Sequence, residues 1–142
     1  MKVRTVHLEE DYPILKTWWE KRGFKPPHPM LLNCDGVIAY DEIGWVACAF
    51  LYEDKRQTIG MVEWEATNPD CGSALRSLRG LNTVFDFFEE YCAKQGVPVI
   101  LSWVAANRGD GRLLSRRNWK KCEGDRHELM SFETKLEAVC LR

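Results

Sequence analysis

Thr58-Ile59-Gly60-Met61-Val62-Glu63-Trp64-Glu65-Ala66-Thr67-Asn68-Pro69-Asp70-Cys71-Gly72-Ser73-Ala74 is the stretch on which the fold turns. Val62, Trp64 and Ala66 alternate with Glu63, Glu65 and Thr67, the two-residue period of a strand. Asn68-Pro69 ends the run, since proline has a fixed φ and no N–H for a ladder. From Ala74 the period changes. Leu75, Leu78, Leu81, Val84, Phe85, Phe88 and Cys92 recur every three or four residues, which predicts a helix to Gln95 closed by Gly96. Val97 to Val104 is a nearly continuous apolar run, the pattern of a central strand covered on both faces. Asn107 then opens a short helix, from about Asp110, that stops at Asn118-Trp119. A strand feeding a helix N-terminus suits a phosphate-bearing ligand. Carboxylates near the end of that strand suit proton abstraction. Together they imply group transfer from a nucleotide-like cofactor, although most of the glycines such a loop uses are missing.

Upstream, Val3 to Leu8 reads as a short strand. Asp11 as a cap and Pro13 in the first turn predict a helix to about Arg22, closed by Gly23. Its apolar residues Ile14, Leu15, Trp18 and Trp19 share a face. Lys25-Pro26-Pro27-His28-Pro29 makes a stiff extended connector. Gly36 to Tyr40, Trp45 to Tyr52 and Thr58 to Thr67 are three strands of an antiparallel meander. A last strand is expected around His127 to Lys135. The order is βα, βββ, αβα, β: a mixed α/β (α+β) chain, read as one domain over residues 1–142.

Composition narrows the classes. The chain has 142 residues, 45% of them hydrophobic, and a net charge of −1. That is enough for a core, and it carries no bulk charge for nucleic acid or an acidic membrane. No apolar run approaches the ~20 residues of a membrane span, and the N-terminus lacks the apolar core of a signal peptide. Cys34, Cys48, Cys71, Cys92, Cys122 and Cys140 form no CxxC pair and no metal-ligand spacing. Reduced thiols in a cytoplasmic protein with no metal is the preferred reading. Cys71 stands apart because it lies in the loop before the ligand-type helix.

Each chemical candidate has a plain alternative. Glu63 and Glu65, on one strand face, are candidate general bases if burial raises their pKa; a solvated face or a Glu–Arg pair is the alternative. Ser73 is a plausible N-cap, and Arg76 and Arg79 beside the helix start could hold a pyrophosphate; exposed arginines on an ordinary helix are the alternative. Arg112, Arg116, Arg117, Lys120 and Lys121 form a basic cluster, read either as a solvated face or as a site for phosphate or an acidic partner.

The order of these elements resembles the GNAT superfamily of acyl-CoA-dependent N-acyltransferases over nearly the whole chain. Asn107, Leu113, Leu114, Asn118 and Trp119 fall in register with the Asn, Leu, Tyr, Gly and Phe of that family's Asn-x-x-Ala-x-x-Leu-Tyr-x-x-x-Gly-Phe segment. Ala66-Thr67-Asn68-Pro69 is similar to the strand end whose backbone amide faces the thioester. Asp11-Tyr12-Pro13, Trp18-Trp19, Gly23-Phe24, Phe50-Leu51-Tyr52, Glu63-Trp64 and Asn68-Pro69 look more narrowly like small GNAT-like proteins of tailed bacteriophages. The resemblance implies a mostly antiparallel twisted sheet of about six or seven strands flanked by three or four helices. It implies acetyl-CoA as co-substrate and Glu63 or Glu65 as the base. The Thr67 amide would face the oxyanion, Arg76, Ser77, Leu78, Arg79 and Gly80 the pyrophosphate, and Asn107 the pantetheine arm.

Two departures bear on catalysis. The family's Gln/Arg-x-x-Gly-x-Gly/Ala loop is matched in register by Arg76-Ser77-Leu78-Arg79-Gly80-Leu81, with Arg79 where the first glycine belongs. The alternative match, Cys71-Gly72-Ser73-Ala74, requires an earlier helix start. The family's Tyr is Leu114, so Ser115 or water would have to protonate the leaving thiolate. Three functions follow: an acetyltransferase acting on an amine of a protein or small molecule; a degenerate phage GNAT fold that binds a host protein in the host cytoplasm through the basic cluster; and a nucleic-acid binder. Near-neutral charge argues against the last. The short Phe24 to Pro29 segment leaves an open mouth that favours a protein or peptide amine, and a homodimer is common among such enzymes.

Overall fold

A computed structural model describes residues 1–32, 34–105, 109–122 and 127–133. It divides into two compact units: Met1–Leu51 with Trp64–Phe88, and Tyr52–Glu63 with the chain from Glu89 onward.

In the first unit, β1 (Lys2–Thr5) leads to α1 (Leu8–Lys21), a 3-10 turn (Pro29–Leu32), β2 (Asp35–Asp41) and β3 (Gly44–Glu53). The end of β4 (Ile59–Thr67) and most of α2 (Ala74–Gln95) complete it. The strand order here is β1-β2-β3-β4. β1 pairs antiparallel with β2 (Val3↔Ala39), and β2 with β3 (Ile38↔Cys48). Val46 to Leu51 are buried without interruption, so coverage on both faces belongs to β3. Leu15, Trp18 and Trp19 of α1 and Val84, Phe85 and Phe88 of α2 fill this core, with Trp19 6.4 Å from Phe50.

α1 starts at Leu8, three residues before the expected cap. Asp11 is no cap; it is buried in the first turn, where its carboxylate accepts the His7 N–H at 2.8 Å and both Arg4 Nη atoms at 2.8 Å. That fixes the helix entry from inside the turn. The far end follows expectation: Gly23 takes φ 76, with Gly23 N–H on Glu20 O and Phe24 N–H on Trp19 O. Ile14 is exposed rather than packed.

In the second unit, the start of β4 pairs in parallel with β5 (Val99–Ala105) at Ile59↔Val99, Gly60↔Ile100 and Met61↔Leu101. β5 pairs antiparallel with β7 (His127–Glu133), and β7 with β6 (Lys120–Cys122), giving the order β4-β5-β7-β6. β6 was missed from the sequence because three residues with two lysines carry no strand period. Among the described side chains of β5, Ile100, Ser102 and Val104 are buried while Trp103 is 49% exposed, which corrects the expectation of two covered faces. α3 (Gly109–Arg116) ends as read, with Asn118 at φ 66 and Trp119 N–H on Leu114 O. The Glu89 carboxylate holds this end, accepting from Arg117 Nε and Nη2 at 3.1 and 2.9 Å and from Trp119 Nε1 at 2.8 Å. Among the described residues no helix is long and apolar enough to cross a membrane, and no group of His, Cys, Asp and Glu could hold a metal ion.

Candidate active site

In the first unit the site elements gather at the end of β4. Thr67 is buried, and the Arg22 guanidinium at the end of α1 donates to its carbonyl at 3.2 Å and to its hydroxyl. Asn68 anchors the other side: its N–H donates to Val46 O at 2.8 Å and its Nδ2 to Trp45 O at 2.9 Å. Asn68 Oδ1 also accepts the Asp70 N–H at 2.9 Å, folding the turn that Asn-Pro predicts. Lys21 and Asp70 form an exposed ion pair across the same junction.

Helix α2 begins at Ala74 straight after this loop, as the period change indicates. The alternative ligand-loop match, Cys71-Gly72-Ser73-Ala74, runs directly into this start. The Arg76 and Ser77 amides already bond Ser73 Oγ (3.4 Å) and Ser73 O (3.0 Å). Arg76, expected at the pyrophosphate, is committed elsewhere: Nε and Nη2 clamp Asp41 at 2.8 and 2.6 Å, while Nη1 reaches Cys71 O and Nη2 reaches Gly44 O. This pair holds the Asp41 carboxyl far below the usual carboxylate range. Gly80 lies in the helix interior, where a Cβ would stand 2.6 Å from Val46 Cγ1 and 3.0 Å from Ala47 Cβ. It is a packing glycine, and that is why the register count misled. Leu78 and Arg79 are exposed, and the Ser77 hydroxyl sits 2.8 Å from Cys71 Sγ. Burial pushes the Cys71 thiol up, but the Ser77 hydroxyl and the Arg76 and Arg22 guanidiniums outweigh it, and the net shift is downward.

Trp64 takes φ 58, a conformation rare for a bulky residue and a break in strand alternation. Burial follows: Gly60 and Val62 alternate as buried, then Ala66 and Thr67 are buried in succession. The alternation that put Glu63 and Glu65 on one face does not run through this residue. Glu65 is half-buried in the first unit. Nothing in the sequence marks Trp64, since tryptophan does not seek positive φ.

Glu63 belongs to the second unit. Met61, two residues earlier on β4, is the last β4 residue in register with β5, and Glu63 Oε1 accepts the β5 amide of Trp103 at 3.0 Å. A side chain thus takes the place of a ladder carbonyl. Burial raises the Glu63 pKa above its ordinary value, with the Trp103 N–H pulling the other way. Ser115 is exposed on α3 and its hydroxyl donates to Gly111 O at 2.8 Å, so the proton expected to serve a leaving group is engaged in the helix. Leu114 is fully buried. Arg117, counted in the basic cluster, is bound to Glu89, while Arg112 and Arg116 are exposed. Asn107 lies outside the described residues. Two open cavities of about 500 and 430 Å³, lined by Met1, Lys2 and Tyr40–Ile43 and by Val6–Glu10, Leu32 and Cys34, contain none of the expected site residues.

No protein-family model matches the chain, and no curated protein sequence does. Solved structures do. The ribosomal-protein-S18-alanine N-acetyltransferase of Escherichia coli matches with a TM-score of 0.76 at 12% identity, over 99% of this chain and 98% of that one. A Mycobacterium tuberculosis protein solved in complex with CoA matches with a TM-score of 0.73 at 10% identity, over 95% of this chain and 100% of that one. N-acetylglutamate synthase of Neisseria gonorrhoeae, complexed with coenzyme A and N-acetyl-glutamate, matches at 0.70 and 14% identity, over 94% of this chain and 35% of that one. The fold is that of the GNAT acetyltransferases.

Proposed function

We propose that this chain is an acetyl-CoA-dependent N-acyltransferase acting on an amine of a protein or peptide. The observation that carries the reading is the Glu63 carboxylate, held through Oε1 by the Trp103 N–H and raised in pKa by burial. Such a group can take a proton from an ammonium or amine near neutral pH. Glu65, half-buried on the same strand, is the second candidate base. The co-substrate's pyrophosphate belongs at the start of α2. The first-turn amides of a helix have no partner within the helix, and those of Ala74 and Leu75 precede the pair already bound to Ser73. Gly72, at φ 76 with open space where a Cβ would be, allows a phosphate to approach the backbone. Arg79, exposed, is the cation of the originally expected segment that remains for this role. Five free cysteines among the described residues suit a reducing, cytoplasmic setting.

Calorimetric titration with acetyl-CoA tests this. Micromolar binding is expected, weakened at least about tenfold by Gly72→Val, which puts a β-branched side chain at positive φ beside the phosphates. Wild-type protein that binds no acetyl-CoA would overturn the reading. Two observations favour a second one, a GNAT fold without transfer that binds a host protein: Arg76 is locked by Asp41, and a fully buried Leu114 stands where the family carries its tyrosine. It requires a partner captured through Arg112 and Arg116 with Glu63→Gln as competent as wild type.

A further inference from the structure

We propose that Asp41 and Arg76 are positioning residues for the acetyl-CoA site, an ion pair between the β2–β3 turn and the first turn of α2 that holds the loop before α2 in the shape that receives the pyrophosphate; this rests on the acyltransferase reading above. Arginine carries donors only, in a planar fork. Here the fork is directed at three fixed points. Nε and Nη2 reach the two Asp41 oxygens at 2.8 and 2.6 Å, Nη2 also reaches Gly44 O at 3.1 Å, and Nη1 reaches Cys71 O at 3.0 Å. Asp41 is itself fixed, since its Oδ1 accepts the Ile43 and Gly44 amides at 3.0 and 3.2 Å. Only 13% of the Arg76 side chain and 26% of the Asp41 side chain are exposed, so salt screens this pair less than one on the open surface.

The pair meets the loop at Cys71. The Cys71 N–H donates to Asn68 O at 3.2 Å, its carbonyl accepts Arg76 Nη1, and its Sγ lies 2.8 Å from Ser77 Oγ. Ser73 is tied on the helix side by the Arg76 and Ser77 amides. Gly72 stands between these two anchors at φ 76. A loop that must be ordered when its ligand arrives loses affinity to that ordering. One fixed at Cys71 and at Ser73 has little left to order. The arginine that reads in the sequence as a phosphate ligand thus acts through the loop, its charge already shared with a carboxylate.

Acetyl-CoA affinity by calorimetry, the thermal midpoint and hydrogen exchange over residues 69–75 are measured for wild type, Asp41→Asn, Arg76→Lys and Glu42→Gln. Asp41→Asn keeps the side-chain oxygen that organises the turn and removes the charge; Arg76→Lys keeps the charge and removes the fork. Each is expected to weaken acetyl-CoA binding by about 5- to 20-fold and to speed exchange in the loop. Should one of them not fold, the other decides. Glu42→Gln takes the same charge from the exposed next residue of the turn and should stay within about twofold of wild type. The sign at Asp41 is the critical readout. Were Arg76 a phosphate ligand, Asp41→Asn would free its guanidinium and acetyl-CoA would bind more tightly, which overturns the proposal. Arg76→Lys equal to wild type overturns it too, because charge alone then suffices. A lowered thermal midpoint with unchanged affinity means that the pair only stabilises the fold, and also overturns it. Wild-type binding that both variants leave intact sinks this proposal alone, whereas wild-type protein that binds no acetyl-CoA sinks the acyltransferase reading and this proposal with it.

Discussion

Glu63 serves the ladder with its side chain, and on the proposed reading it also serves the chemistry. Its carboxylate stands in for a β4 carbonyl at Trp103 N–H, and burial keeps its pKa above the ordinary value. Two consequences have opposite signs. If Glu63 is the proposed base, activity needs its ionised form, so kcat/KM should rise with pH through the raised Glu63 pKa, and Glu63→Gln should lose that limb and about two to four orders of magnitude in turnover. Stability runs the other way. A carboxyl raised above its unfolded value favours the protonated fold, so its contribution is complete below the unfolded pKa and is lost as pH rises through the folded one. The thermal midpoint of wild type relative to Glu63→Gln should therefore fall as pH rises from the ordinary glutamate range through the raised folded pKa; a constant difference would mean that Glu63 is not desolvated. Both glutamates were legible in the sequence as candidate bases. The break between them was not, because it rests on the positive φ of Trp64, which no residue preference announces.

At the scale of elements, α2 sits on β3 through a contact that only glycine permits. A Cβ at Gly80 would stand 2.6 Å from Val46 Cγ1, and Val46 is fully buried and cannot give way. Gly80→Ala is expected to cost about 1–3 kcal/mol by chemical denaturation, although alanine is the better helix former. An unchanged or raised midpoint would mean that the helix and strand are not in this contact. The same packing explains why the segment from Arg76 to Gly80 was misread. Its glycine and arginines fit a phosphate loop as letters, but the helix starts at Ala74 and puts them inside it, one arginine on the β2–β3 turn and the glycine on β3. The helix itself, Ala74 to Gln95 with Gly96 at φ 77, was fully legible, since a seven-residue apolar stripe and a glycine stop are local signals. Arg22 was missed because its partner Thr67 lies 45 positions away and nothing local marks the pair.

Across the whole molecule, the cysteines give a test that needs no substrate. Cys48 and Cys92 are buried; burial carries the Cys48 thiol far above its ordinary value and raises Cys92 to about 12. Both should resist alkylation until the protein unfolds. Cys71, half-exposed and lowered by Ser77, Arg76 and Arg22, should react first in native protein and should be slowed by acetyl-CoA. Mass-spectrometric mapping reads the order, and early labelling of Cys48 would contradict the core described. The sequence by itself determined the succession of helices and of every strand but β6, the C-terminal ends of α1 and α2, and the presence of two acidic residues before a loop and helix start. Those properties are local: periodicity, proline, glycine and caps act over a few residues. Only the tertiary structure decided that β3 is the strand covered on both faces, that Arg76 belongs to Asp41, that Glu63 serves Trp103 and that Arg22 holds Thr67. These pairings join residues 35 to 45 positions apart, and a long-range partner is chosen by packing among many equal candidates rather than by the pattern around either member.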